Sequence, residues 1–337
     1  GSATMIKRSK NISKRVLSLI TALCCFLSVF FFSSCSILEK PNAITINGTK
    51  ISDDVFTYFL DCATVELGTD ANYEELKSLA SKLTGTYYKT NSLAHSYNLS
   101  LTTAQKAAVS EKVNAYWNIY AGYYTNIGIS KETLTKVFTA ESYRDALLLH
   151  YYGEGGIEEI PVSRLFANFR TNYIVFQSIT GYFSETDTAG NPVRLSQSDI
   201  ETLVLKFQNM SAMVNAGEQT MEQAAEYLSE SGYQSSVQTV VLHKDDSSYP
   251  PGFFEKVHEI ESRYAAVIGS NDYIFLVLRG DADANSSYFL EKKTDIIKNI
   301  VGTGIDTTIE AAYELDTEIS DTTAKGYLSL ITQEKGA

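Results

Sequence analysis

Tyr173-Ile174-Val175-Phe176-Gln177-Ser178-Ile179 is the stretch that decides how the chain is read. Its β-branched and aromatic residues suit a pleated, half-buried surface, so a strand is expected here. Residues 184–192 behind it are turn-rich and read as a loop or hairpin. Two helix starts follow, Ser198-Asp199-Ile200-Glu201 and Thr220-Met221-Glu222-Gln223. Both have the spacing of a capping box, in which side chain and backbone satisfy each other's orphan donors. Residues 235–242 give a second strand, 251–260 a short helix, and 264–268 with 273–279 a closing antiparallel pair. The order strand, two helices, strand, helix, two strands describes an α+β unit built on an antiparallel sheet.

Ahead of this stretch the pattern is helical. Pro161 opens a short helix to about residue 169, and Gly153-Glu154-Gly155-Gly156 interrupts the helices before it. Segments 73–90, 103–124 and 130–152 carry apolar residues at helical spacing, for example Val109, Val113, Tyr116, Trp117 and Tyr120. The half opens on Ala43-Ile44-Thr45-Ile46-Asn47-Gly48-Thr49-Lys50-Ile51-Ser52, an alternating run around an Asn-Gly turn, which is a hairpin signal. Ser52 then serves as N-cap, Asp53 and Asp54 complement the helix dipole, and Val55, Phe56, Phe59 and Leu60 form a core-facing stripe. The aromatic residues Tyr116, Trp117, Tyr120 and Tyr124 have two readings, the wall of a client-binding groove or ordinary core packing. Beyond the sheet unit, 288–301 is an amphipathic helix, and the pattern from 307 onward is mixed.

The N-terminus carries targeting information. Gly1-Ser2-Ala3-Thr4 reads as a cloning remnant ahead of Met5, and Lys7, Arg8, Lys10, Lys14 and Arg15 form a basic segment without acids. An apolar run of 17 residues, 16–32, leads to Phe32-Ser33-Ser34-Cys35. Small residues before a cysteine suit lipoprotein processing, which makes Cys35 the candidate lipidation site; the other reading is an uncleaved anchor helix. Either places the rest of the chain outside the cytoplasm, tethered to a membrane. Cys24 and Cys25 would leave with the signal and Cys35 would carry lipid, so Cys62 alone remains and no intramolecular disulfide is expected. Loss of the five basic residues leaves 23 Lys plus Arg against 40 Asp plus Glu, a net charge of −17. Such a chain is repelled by phosphate backbones, and there is no basic stripe or zinc spacing to offset this, so nucleic acid is not an expected partner. No metal and no cofactor is expected: Asp281-Ala282-Asp283-Ala284-Asn285 opens like a calcium loop but has Ser286 and Lys292 where that loop needs Gly and Glu. His243 and His258 read as polar surface residues.

Three segments together resemble the SurA/PrsA type of extracytoplasmic foldase. The opening 43–56 is similar to that family's first strand, Asn-Gly turn and first helix. Ile129-Ser130-Lys131-Glu132-Thr133-Leu134, running through Leu147-Leu148 to Asn172-Tyr173-Ile174-Val175, is similar to its passage into a parvulin-like isomerase domain. Gly217, Met221, Ala225 and Ser229 resemble the Gly, Phe, Ala and Ser pattern of that domain's second helix. The resemblance implies a mostly helical chaperone-like domain at 43–165, an inserted parvulin-like antiparallel-sheet domain at 166–285, and a C-terminal part, 286–337, whose helix 288–301 returns to the helical domain. Residues 1–34 precede it as remnant and signal, and 35–42 as lipidated tether.

The family's catalytic pattern is not reproduced. Tyr173 stands where its first strand carries a histidine, Asp272-Tyr273-Ile274-Phe275-Leu276 lacks the second histidine, and the glycine-rich run after the second helix is missing. Tyr173, Phe176, Tyr273 and Phe275 therefore mark a candidate degenerate isomerase groove, and no catalytic residue is assigned. The resemblance implies an anchored chaperone-like lipoprotein that binds unfolded or partly folded exported polypeptides without isomerase catalysis. The alternatives are a prolyl isomerase rebuilt around Tyr173 and Tyr273, or a surface lipoprotein with one dedicated partner.

Overall fold

The computed structural model describes residues 41–68, 70–230 and 235–336, so the signal segment and Cys35 lie outside the described residues. In chain order the elements are β1 (Ile44–Ile46), β2 (Thr49–Ile51), α1 (Asp53–Leu67), α2 (Tyr73–Ser96), α3 (Thr103–Asn126), α4 (Lys131–Tyr152), α5 (Val162–Asn172) and β3 (Tyr173–Tyr182). There follow β4 (Ser184–Thr186), β5 (Pro192–Arg194), α6 (Gln197–Asn215), α7 (Met221–Glu230), β6 (Ser235–His243) and α8 (Phe253–Glu259). The chain closes with β7 (Ala265–Gly269), β8 (Tyr273–Arg279), α9 (Ser287–Val301), α10 (Gly304–Ala311), β9 (Thr317–Ile319) and α11 (Asp321–Gly336). The fold is α+β, mostly helical with small antiparallel sheets. It forms two compact units, one from the residues up to 85 with 120–133 and 315–337, the other from 86–119 and 134–314.

In the first unit the Asn-Gly hairpin forms as its sequence dictates. Asn47 and Gly48 both have positive φ, 48° and 74°, the pair of left-handed residues that a tight two-residue turn between twisted strands requires. β1 pairs with β2 on one side and, antiparallel, with β9 on the other, Ile44 facing both Ile51 and Ile319. The acids of α1 reach beyond its dipole. Asp53 accepts the Ala43 amide at 2.9 Å and the Tyr327 hydroxyl at 2.6 Å, so one carboxylate ties the hairpin and α11 to the helix. Burial first, and then that bond to Asp53, push the Tyr327 hydroxyl up to about 12. One face further on, buried Asp61 accepts the Tyr123 hydroxyl at 2.5 Å and faces Lys335 at 3.2 Å.

The second unit is built on the sheet β6-β3-β8-β7, all antiparallel. Ile174, Phe176, Phe275 and Val277 pack on one face with Phe253 and Val257 of α8. Ile179, Ile274 and Leu276 pack on the other with Leu203, Phe207, Met221 and Leu228 of α6 and α7. Gly181 is needed between them, because a Cβ there would come within 2.8 Å of Ile274 and Phe207 side chains. A third cluster joins Leu93, Leu147, Leu148, Phe169, Phe289 and Ile296, which lie on α2, α4, α5 and α9.

One cap differs from the sequence reading. α6 starts two residues early: Ser196, not Ser198, is its N-cap and accepts the Asp199 amide at 3.1 Å. Ser196 and Asp199 offer the same three-residue spacing as Ser198 and Glu201, and Asp199 also accepts the Ser196 hydroxyl, so the earlier frame satisfies more groups. At the next helix Thr220 and Gln223 bond reciprocally, at 2.9 and 3.1 Å, as a capping box does. Residues 184–194 form the β4–β5 hairpin, and the mixed stretch beyond 307 resolves into α10, β9 and α11.

Candidate functional site: an aromatic groove on the sheet

Side chains alternate along a strand, so residues two apart share a face. On β8 this puts Tyr273, Phe275 and Val277 on the α8 side and Ile274 and Leu276 on the other. On β3 the α8 face takes Ile174 and Phe176, and continues to Tyr182, which pairs with Tyr273. Their rings meet edge to face at 5.5 Å. From this pair an aromatic wall runs inward: Tyr273 to Phe275 at 6.2 Å, Phe275 to Phe253 at 5.0 Å, and Phe253 to Phe176 at 5.4 Å. Tyr249 stacks on Phe253 at 4.4 Å and meets Phe176 edge-on at 5.4 Å. Exposure falls along the wall from 36 % at Tyr273 to 5 % at Phe275 and 0 % at Phe176.

Beside the wall lies a groove of about 740 Å³, bordered by the loops 247–251 and 270–272 and by Thr180. Its rim is polar: the Ser270 amide donates to the Tyr273 carbonyl at 2.9 Å, and Arg194 donates to the Asn271 carbonyl at 2.9 Å. Among the described residues Asp272 is the one carboxylate in the lining, 3.8 Å from Arg194, and no imidazole or thiol borders the groove. Such a surface can take up apolar side chains and hydrogen-bond an extended backbone at its rim.

Of the four residues that the sequence brought together for an isomerase-like groove, the structure gathers three. Phe176, Tyr273 and Phe275 share the α8 face; Tyr173 does not. It sits at the far end of β3 on the opposite face, stacked on Phe169 at 5.2 Å and edge-on to His243 at 4.8 Å. The reason is register. Tyr182, not Tyr173, pairs with Tyr273, and Tyr173 is an odd number of residues from Tyr182, which reverses the face. Burial, with a smaller contribution from Asp295, raises the Tyr173 hydroxyl. Sequence reasoning missed Tyr182 and Tyr249; the run Tyr249-Pro250-Pro251 was the available signal, a rigid aromatic loop against a strand.

The aromatic residues of α3 belong to both units. Tyr116, 38 % exposed, meets Phe138 edge-on at 5.1 Å, and Trp117 is half-buried. Tyr120 is exposed and lies 5.7 Å from the buried Tyr124. His243 and His258 are half-buried, His243 against Tyr173 and His258 bonded to the Arg170 carbonyl at 2.9 Å. Among the described residues no helix is long and apolar enough to cross a membrane, and no group of three or more His, Cys, Asp or Glu side chains is placed to hold a metal ion.

No protein-family model matches the chain, and no curated protein does. Solved structures do. Foldase protein PrsA from Streptococcus pneumoniae str. Canada MDR_19A is 10 % identical with a TM-score of 0.34, over 90 % of this chain and 94 % of that one. Foldase protein PrsA from Lactococcus lactis is 12 % identical with a TM-score of 0.39, over 88 % and 99 %. A Campylobacter jejuni structure, from work describing PEB4 and Cj1289 as SurA-like chaperones, is 12 % identical with a TM-score of 0.25, over 83 % and 100 %. Over most of its length, then, the chain is similar to solved PrsA and SurA-like foldases and chaperones from several species.

Proposed function

We propose that the chain is an extracytoplasmic, membrane-tethered chaperone that holds unfolded or partly folded exported polypeptides in the aromatic groove and does not catalyse prolyl isomerisation. The observation that carries this reading is the wall from exposed Tyr182 and Tyr273 to buried Phe176, with a polar rim and no imidazole in its lining. Aromatic side chains offer large apolar area with a polar tip, which suits extended segments of varied sequence. Isomerisation lowers a barrier of about 18–20 kcal/mol, and it needs groups that favour the twisted amide over the planar one. A competing isomerase reading has to rest on the phenols of Tyr182 and Tyr273, because Tyr173 lies on the other face. The division at 43–165, 166–285 and 286–337, and a client role for Tyr116, Trp117, Tyr120 and Tyr124, belong to the same proposal.

Two experiments test it. The full chain should suppress aggregation of an unfolded client, and Tyr249→Ala with Tyr273→Ala should weaken suppression about tenfold, by removal of two aromatic anchors. In the same preparation a prolyl peptide should exchange at its uncatalysed rate, over about tens to hundreds of seconds. An acceleration that Tyr273→Phe abolishes would overturn the non-catalytic reading. For the tether, fatty-acid labelling in cells should mark the wild type and spare Cys35→Ala; equal labelling of both, or of neither, defeats the lipid anchor.

A further inference from the structure

At the end of the sheet away from the aromatic groove lies a second cavity, of about 580 Å³, between the C-terminal turn of α5, the start of β3, the end of α8 and the end of β8. Its charges are unusual for this chain. Arg170, His258 and Arg279 line it and no carboxylate does, although the whole chain carries 40 acids against 28 Lys plus Arg.

The nearest acid in sequence, Asp281, is bonded to Arg263 at 2.7 Å; among the described residues neither Arg170 nor Arg279 has an ion-pair partner, and Arg170 lies over the Phe166 ring at 6.0 Å. Arg279 is held in place: its Nη1 donates to the carbonyls of His258 and Ile260, closing the end of α8. A guanidinium has five donors in a fixed fork, so Nε and Nη2 remain for a partner. Burial, and then the charge of Arg170, lower the Arg279 pKa. His258 completes the wall by donating from Nε2 to the Arg170 carbonyl at 2.9 Å, which joins α5 to α8, and Ser262 adds a hydroxyl.

We propose that this cavity is an oxyanion site, in which Arg170 and Arg279 together bind a carboxylate or phosphate group. Two arginines lining one cavity suit the paired oxygens of such a group, and charge-assisted bonds of this kind are about twice as strong as neutral ones. The site is separate from the aromatic groove and does not depend on the chaperone reading.

The test is calorimetric titration of the full chain with three probes at low ionic strength: inorganic phosphate, a short peptide of Gly and Ser alone with a free C-terminal carboxylate, which offers the aromatic groove no apolar side chain, and the same peptide amidated. Saturable binding of phosphate or of the free-acid peptide is expected, with the amidated peptide silent. Phosphate alone would identify a phosphate-bearing ligand, the free-acid peptide alone a chain terminus. Arg170→Gln should weaken binding about tenfold and change the melting curve little, since the guanidinium it removes has one contact, over the Phe166 ring at 6.0 Å, among those of the described residues. Arg279→Gln should weaken binding too, though it also removes the end cap of α8. No saturable binding by either anion, equal binding of the amidated peptide, or full binding by Arg170→Gln would each overturn the site.

Discussion

Deletion of residues 315–337 should abolish the cooperative unfolding of the first unit. That segment contributes β9, which pairs along the whole of β1, and α11, whose Ala324 and Ile331 are fully buried. Its loss would uncover Ala43, Ile44 and Ile46, each 0 % exposed, and would take one of two partners from each of two carboxylates, Tyr327 from Asp53, which keeps the Ala43 amide, and Lys335 from Asp61, which keeps the Tyr123 hydroxyl. Losing a hydrogen bond to a charged group costs about 1.5–3 kcal/mol at each site. Together with the lost apolar cover this is as large as the stability of an ordinary domain, about 5–15 kcal/mol. Amide exchange read along the chain checks the expectation: amides of β1, β2 and α1 should lose protection. Protection of these amides at the level of the intact protein would show that the hairpin and α1 stand without the C-terminal segment.

The second large effect separates the groove from the core beneath it. Phe253 and Phe207 lie on opposite faces of the same sheet, 3 % and 0 % exposed, and truncation of either to alanine should cost about 3–5 kcal/mol. Their functional consequences should differ. Phe253 is the ring on which Tyr249 stacks and which links Phe275 to Phe176, so Phe253→Ala should also lower client suppression by the folded protein. Phe207→Ala should leave suppression intact, because its cavity lies among α6, α7 and the sheet face away from the groove. Denaturant midpoints give the stabilities, and aggregation assays at a temperature where both variants are folded give the function. Equal loss of suppression in both would mean that client capture follows global stability and not the aromatic wall.

Much of the fold is legible in local residues. Asn47-Gly48 demands left-handed backbone at both positions and forms the hairpin it announces, and Thr220 with Gln223 caps its helix as written. What failed was whatever depends on a distant partner. Tyr173-Ile174-Val175-Phe176 is readable as a strand, but which face each residue meets depends on register against β8, and a period of two does not reveal it. Tyr173 and Tyr273, both candidates for one groove, fall on opposite faces for that reason. Thr317-Glu318-Ile319 is too short to show alternation, and it becomes a strand only because β1 supplies the other half of the ladder. Asp53 read as a dipole complement, since the hydroxyl of Tyr327 that it also binds lies at the other end of the chain.

The strand pair β1 and β9 also has a consequence in time. A ribosome delivers residues 317–319 more than 250 residues after residues 44–46, the strand they pair with. At about 5–20 residues per second, tens of seconds separate the two, far longer than the microseconds in which a hairpin closes. Through that interval β1 can pair only with β2, and one of its edges is open to whatever strand passes. The nascent first unit therefore stays unfinished until β9 and α11 arrive.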